Sequence, residues 1–209
     1  MTNFNFLLTV GDSLFHGARD EFGSCIANEM TEYMEKEFGG WWVGIEKGVN
    51  GETTADLMRR YYDNVRSYKE AIEVCLLIGT NDAKDECSTP PERYRRNMER
   101  FYQMAMVEKR KLFIGTLPGR VNALAPSYGA KFEKNLAIYN EQISDMVRGR
   151  KGLWGVDLSG LGDEHFNDGL HFSNKGNKEV ARRFGQAIWM VRTGSVPADQ
   201  FASGMITFK

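Results

Sequence analysis

The sequence predicts a parallel α/β sheet covered by helices on both faces. Short, continuous apolar runs alternate five times with longer stretches of helical periodicity. A continuous run, rather than a two-residue alternation, marks a strand buried on both sides. Strand and helix in strict alternation is the pattern of βαβ units. No Pro/Gly/Ser-rich linker and no internal repeat divides the 209 residues, so one domain over 1–209 is expected.

The runs are Phe4–Val10, Trp41–Ile45, Glu73–Ile78, Lys111–Thr116 and Leu153–Leu158. Between them, residues 18–38 repeat apolar side chains at Phe22, Ile26, Met30, Tyr33 and Met34, close to helical spacing. Thr54–Tyr68 follows a Thr-Thr capping signal with Asp56 in the first turn. Pro90–Lys109 opens on Pro-Pro and Glu92, a helix start. Lys131–Val147 and Asn174–Val191 complete the helices. The connections around Thr80–Thr89 and Leu117–Ala130 are longer than the rest, and ligands in such folds bind where loops leave the carboxyl ends of strands. The tail from Thr193 to Lys209 shows no strong pattern. Of Trp41 and Trp42, one ring is expected to fill the core.

Composition narrows the function. Lys+Arg 27 against Asp+Glu 28 leaves a net charge of −1, with no basic excess for a nucleic-acid backbone. Three cysteines, at 25, 75 and 87, are too few and too scattered for a disulfide framework or a structural zinc site, and fit reduced thiols. No stretch approaches the roughly 18 apolar residues of a membrane span. The N-terminus has no basic segment and only a short apolar run, so a cytoplasmic protein is expected if Met1 is the natural start. No G-x-S-x-G elbow, phosphate-binding G-x-x-x-x-G-K-[ST] or H-E-x-x-H occurs, and no cofactor or metal is implied.

Four short segments sit after predicted strands or just before the last helix: Gly11-Asp12-Ser13-Leu14, Gly48-Val49-Asn50-Gly51, Gly79-Thr80-Asn81-Asp82 and Asp168-Gly169-Leu170-His171. In a doubly wound sheet the first three strand ends can be neighbours, so their loops converge. Acyl transfer needs a nucleophile, a base, a group orienting the base and donors for the oxyanion. Ser13 at a strand-to-helix turn can expose its hydroxyl, with its N–H at the partly positive helix start. Gly51 can bring its N–H close to a substrate oxygen. Asn81 offers an amide donor, and His171 a base that titrates near neutrality. Asp168 precedes His171 by three residues, a spacing that puts both on one face of a helical or turn-like segment. Taken singly, each segment also reads as a helix cap, a turn or a surface charge.

In that order, the segments resemble the conserved blocks of the GDSL/SGNH hydrolase superfamily. Ser13 matches the block I serine, Gly51 the block II glycine, Asn81 the block III asparagine and His171 the block V histidine, with Asp168 as the acid of D-x-x-H. Gly17 and Glu52-Thr53-Thr54 match further family positions. The resemblance implies a flavodoxin-like three-layer α/β/α sandwich with five parallel strands. It also implies metal-free serine hydrolysis of a carboxylic ester, with an oxyanion hole made by the N–H groups of Ser13 and Gly51 and the Asn81 amide. Two departures are Phe15, where the family often has Thr, and Glu46, where it often has Asn; a carboxylate there needs a partner.

The expected function is therefore a serine esterase on a small-molecule ester, with Ser13, His171 and Asp168 as the triad. The absence of a long insertion for a lid favours a short acyl group. The competing class is a catalytically silent binding or structural module on the same fold. His16 can line the pocket or pack, and His165 reads as a surface loop residue. Leu170 and Phe172 either wall the acyl pocket or pack beneath the last helix. The run Ala83–Glu86 is a solvated loop or a polar substrate contact.

Overall fold

The computed structural model describes residues 4–20, 22–119 and 131–208. Among the described residues, six strands form one sheet in the order β2-β1-β3-β4-β5-β6, with every adjacent pair parallel. They are β1 (Phe4–Gly11), β2 (Trp41–Gly48), β3 (Glu73–Leu77), β4 (Lys111–Gly115), β5 (Leu153–Val156) and β6 (Met205–Ile206). Every residue of β3 is buried, as a central strand covered on both faces requires. The helices are α1 (Ser13–His16), α2 (Ile26–Phe38), α3 (Thr54–Tyr61), α4 (Thr80–Ala83), α5 (Pro91–Val107), α6 (Phe132–Val147), α7 (Asn174–Thr193) and α8 (Ala198–Ser203). One group, α1, α2 and α7, packs together against the sheet, and a second group, α3, α5 and α6, packs separately from it. The result is the expected three-layer α/β/α sandwich.

The sheet has six strands, not five. The sixth comes from the tail, where the sequence shows no pattern. A two-residue strand is too short to leave a period, and tertiary contacts make it. Gly155 N–H donates to Gly204 O at 2.8 Å and Asp157 N–H to Ile206 O at 2.9 Å, so the outer edge of β5 is paired. The guanidinium groups of Arg182 and Arg183 lie 5.5 and 5.7 Å from the Phe208 ring centroid.

Other boundaries move for local reasons. The helix expected over 18–38 begins only at Ile26. Gly17, at φ +74°, ends α1. Asp20 then accepts the amides of Phe22 at 2.7 Å and Ser24 at 3.3 Å, closing a turn instead of a helix. Phe22 is exposed, so its place in the apolar pattern was accidental. Thr53 caps α3 through a reciprocal pair with Asp56, as the Thr-Thr signal predicts, but the α-helix gives way to a π-helical turn at Tyr62–Arg66. Trp42 is buried and Trp41 exposed. Most of the long connection expected at 117–130 lies outside the described residues. Among the described residues, no helix is long and apolar enough to cross a membrane.

Strand β1 has β2 on one side and β3 on the other. Chain order therefore runs outward in both directions from β1, and a crevice opens beyond the carboxyl ends of these three strands.

Candidate active site

Ser13 is the first residue of α1, immediately after β1 ends at Gly11. Asp12 caps this helix: its Oδ1 accepts the Leu14 amide at 3.0 Å. Asp12 is fully buried, and among the described residues its Oδ2 has no partner. Burial pushes its carboxyl up to about 7; the Leu14 amide opposes this, and Asp82 and Glu52 reinforce it.

Asp168 and His171 lie in the turn that precedes α7, whose cap is Ser173. They do not open the helix. The three-residue spacing still brings them together, because the Asp168 carboxylate folds back on its own chain. Oδ1 accepts the amides of Leu170 at 3.1 Å and His171 at 2.7 Å. Oδ2 lies 2.8 Å from His171 Nδ1, and His171 Nε2 lies 3.1 Å from Ser13 Oγ. Burial works against the charge on Asp168, but the His171 amide, its ring and the Leu170 amide outweigh it and draw the carboxyl down to about 2. The carboxylate is thus ionised at neutral pH and suited to hold the imidazole with Nδ1–H facing it and Nε2 facing the serine.

The second and third loops are tied to each other around the buried Glu52. The turn after β2 passes through Gly51 at φ +76°, a conformation that favours glycine. Gly48 is required for a different reason: a Cβ there would stand 2.5 Å from His16 N and 2.8 Å from Asp12 O. Arg60, reaching up from α3, pairs with the buried Glu52 and donates to Lys47 O at 2.8 Å, fixing the turn to the end of β2. Asn81, in α4, donates through Nδ2 to Glu52 O at 2.9 Å and accepts Lys84 Nζ on Oδ1 at 2.8 Å. The lysine thus sets which way the amide points, and the second N–H of Nδ2 is left over from these two contacts. Among the described residues, neither the Ser13 nor the Gly51 N–H has a hydrogen-bond acceptor.

Ser13, Gly51, Asn81 and His171 line one cavity of about 740 Å³. Asp168 is not part of its wall and reaches the site through His171. His16 and Glu46 line the same cavity. Glu46 finds the partners its burial demands: its Oε1 accepts the Gly48 amide and lies 3.5 Å from His16 Nδ1. Lys84 supplies a polar wall from the 83–89 segment, whereas Ala83 is buried. Leu170 and Phe172 are buried in the core, Phe172 with its ring centroid 5.4 Å from that of Phe166. They pack beneath α7 and do not line the cavity. His165 is half-buried in a short 3-10 turn, with Nδ1 accepting the Gly162 amide at 3.1 Å.

The sequence did not point to Arg19, whose guanidinium bonds Asp168 Oδ2, nor to Arg60, which holds Glu52. No local pattern marks them: Arg19 acts on a residue 149 positions away, and Arg60 acts across the turn that starts α3.

The fold is that of parallel α/β proteins whose functional loops gather beyond the carboxyl ends of the strands. It belongs to the GDSL-like lipase/acylhydrolase family, which matches residues 9–179. No match to a curated protein was found by sequence comparison. Among solved structures, a lipase/acylhydrolase from Enterococcus faecalis has a TM-score of 0.73 at 23% identity, over 88% of this chain and 95% of that one. An acetylxylan esterase from Geobacillus stearothermophilus has a TM-score of 0.68 at 17% identity, over 90% and 96%. Another acetyl xylan esterase has a TM-score of 0.67 at 20% identity, over 88% and 99%. At these identities the likeness is one of fold.

Proposed function

We propose that this chain is a serine esterase that cleaves a carboxylic ester with a short acyl group. The observation that carries this is the unbroken line from Ser13 Oγ to His171 Nε2 at 3.1 Å and from His171 Nδ1 to Asp168 Oδ2 at 2.8 Å. Ser13 Oγ attacks the ester carbonyl carbon as His171 Nε2 takes its proton. The carbonyl oxygen becomes the oxyanion and is held by the Ser13 and Gly51 N–H groups and the remaining N–H of Asn81. The C–O bond to the alcohol then breaks, and His171 returns the proton to the leaving oxygen. Water attacks the acyl-serine with His171 as base again; the acyl C–Oγ bond breaks, His171 gives that proton to Ser13 Oγ, and the carboxylic acid leaves. Asp168 stays ionised throughout and stabilises the imidazolium.

The polar cavity wall of His16, Glu46, Asn50 and Lys84 suits a hydroxyl-rich alcohol portion better than a long apolar acyl tail. The acetyl ester specificity named for two of the similar structures agrees with this reading.

The test is hydrolysis of p-nitrophenyl esters from acetate to decanoate by wild type and Ser13→Ala. Expected are a rate that falls with chain length and a loss of about 10⁴–10⁶ in kcat for the variant. A folded Ser13→Ala protein keeping a tenth of the rate removes Ser13 as nucleophile. Absence of both hydrolysis and labelling by a fluorophosphonate probe would leave the silent binding module.

A further inference from the structure

We infer that Arg19 is a positioning residue that fixes the Asp168 carboxylate and sets the charge His171 faces. The inference rests on the reading of Ser13, His171 and Asp168 as a hydrolytic triad. The Arg19 guanidinium donates to Asp168 Oδ2, the same oxygen that lies 2.8 Å from His171 Nδ1. The main chain of Arg19 is tied to the same segment: Asn167 Nδ2 donates to Arg19 O at 2.6 Å. One residue on, Asn177 Nδ2 donates to Asp20 Oδ2 at 2.7 Å, joining the loop to α7. The loop after the nucleophile and the loop carrying acid and base are therefore stitched together at Arg19.

The backbone supports the same conclusion. Arg19 has φ +65°, in the left-handed region where glycine or asparagine sits more easily. A long side chain held there is a local strain, and such strain persists only where surrounding contacts dictate it. Here those contacts are the two bonds to residues 167 and 168.

The carboxylate has donors on both oxygens. Oδ1 takes two amides, and Oδ2 takes the imidazole and Arg19. The guanidinium has two consequences. It removes the freedom of Oδ2 to swing away from the ring. It also offsets part of the carboxylate's negative charge, so the imidazolium is favoured less than by a lone carboxylate. The effect is moderated by solvent, since the Arg19 side chain is 59% exposed. The other ionisable groups around the site stay in place in the variants below: His16, Asp20, Cys25, Glu46 and Lys84 in the cavity wall, and Glu164 and His165 ahead of α7.

The experiment is kcat/KM against pH for wild type, Arg19→Asn and Arg19→Lys, with Ser13→Ala as the blank. Asparagine is neutral and tolerates the left-handed backbone; lysine keeps the charge without the fork. Arg19→Asn should raise the midpoint of the acid limb by about 0.5–1 in pH and lower the alkaline plateau by about 3–30-fold. Arg19→Lys should keep the wild-type midpoint and lose only plateau. A purely structural role predicts a lower plateau with the midpoint in place. A Ser13-dependent activity whose midpoint ignores Arg19→Asn, or rises equally in both variants, overturns the inference alone. Activity that survives Ser13→Ala overturns the triad and this inference with it.

Discussion

Asp82 takes two hydrogen bonds from a single residue, Thr54: one from its amide at 2.8 Å and one from its hydroxyl at 2.7 Å. Asp82 follows Asn81 in α4, and Thr54 opens α3 just beyond the Gly51 turn. The contact therefore locks the second and third loops of the site to each other. The Thr54 hydroxyl also accepts from Asn97 Nδ2 at 2.9 Å, which extends the lock to α5.

Thr54→Val should test that lock. It leaves a buried carboxylate oxygen and the Asn97 amide each short of a partner. Burial already pushes the Asp82 carboxyl up, and the Thr54 bonds are the main force opposing it. The expected loss is about 1–3 kcal/mol in urea unfolding. A change under about 0.5 kcal/mol would show that the two loops are held by something else.

Asn81→Ala should lower kcat with little effect on KM. The proposed N–H meets an oxygen that is charged only near the transition state. The expected loss is about 10²–10³-fold. Steady-state kinetics on an acetyl ester decide it: an effect confined to KM would place Asn81 in ground-state binding. Lys84→Met should show a weaker loss of the same kind, because Lys84 orients the amide and does not itself supply the proposed oxyanion donor.

Asp168→Asn should reveal the pH logic of the pair. The Asp168 carboxyl sits at about 2, below its ordinary 3.8, so it is charged throughout the working range. The acid limb of kcat/KM then reports protonation of the base His171 and not of Asp168, and activity should rise with pH to a plateau. The amide removes the charge and permits the wrong tautomer. Activity should fall by up to about 10⁴, and the remaining midpoint should move to lower pH. A near-normal rate with a fixed midpoint would reduce the site to a Ser13–His171 dyad.

Asp12→Asn should change the pH dependence of stability. The folded carboxyl titrates near 7 against an ordinary 3.8, so over that interval the unfolded chain gives up a proton that the folded chain keeps. Stability therefore falls as pH rises through the interval and is lowest above 7. Asparagine keeps the cap to Leu14 and carries no charge. The variant should match wild type near pH 4 and exceed it by up to about 4 kcal/mol at pH 8. Urea unfolding at both values checks this; parallel wild-type and variant curves would mean that folding leaves the Asp12 carboxyl at its ordinary value.

The sequence by itself determined five of the six strands and the parallel α/β class, and it marked four segments as candidates for the site. Each rests on short-range information. A buried strand reads as a continuous apolar run, and Ser13, Gly51 and Asn81 follow such runs within a few residues. The D-x-x-H spacing was legible too, because Asp168 bonds the amide of His171 within one turn of chain. Tertiary structure decided the rest. Strand β6 exists because the edge of β5 needs partners, and two residues cannot announce that. The helix expected from residue 18 starts at Ile26 because Asp20 captures local amides and Asn177 of α7 holds Asp20. The bond from Asn81 to Glu52 O, the contact of Glu46 with His16 and the grip of Arg19 on Asp168 all join residues far apart in the chain. Periodicity records which face of an element meets the core; it holds no record of which two loops meet beyond the ends of the strands.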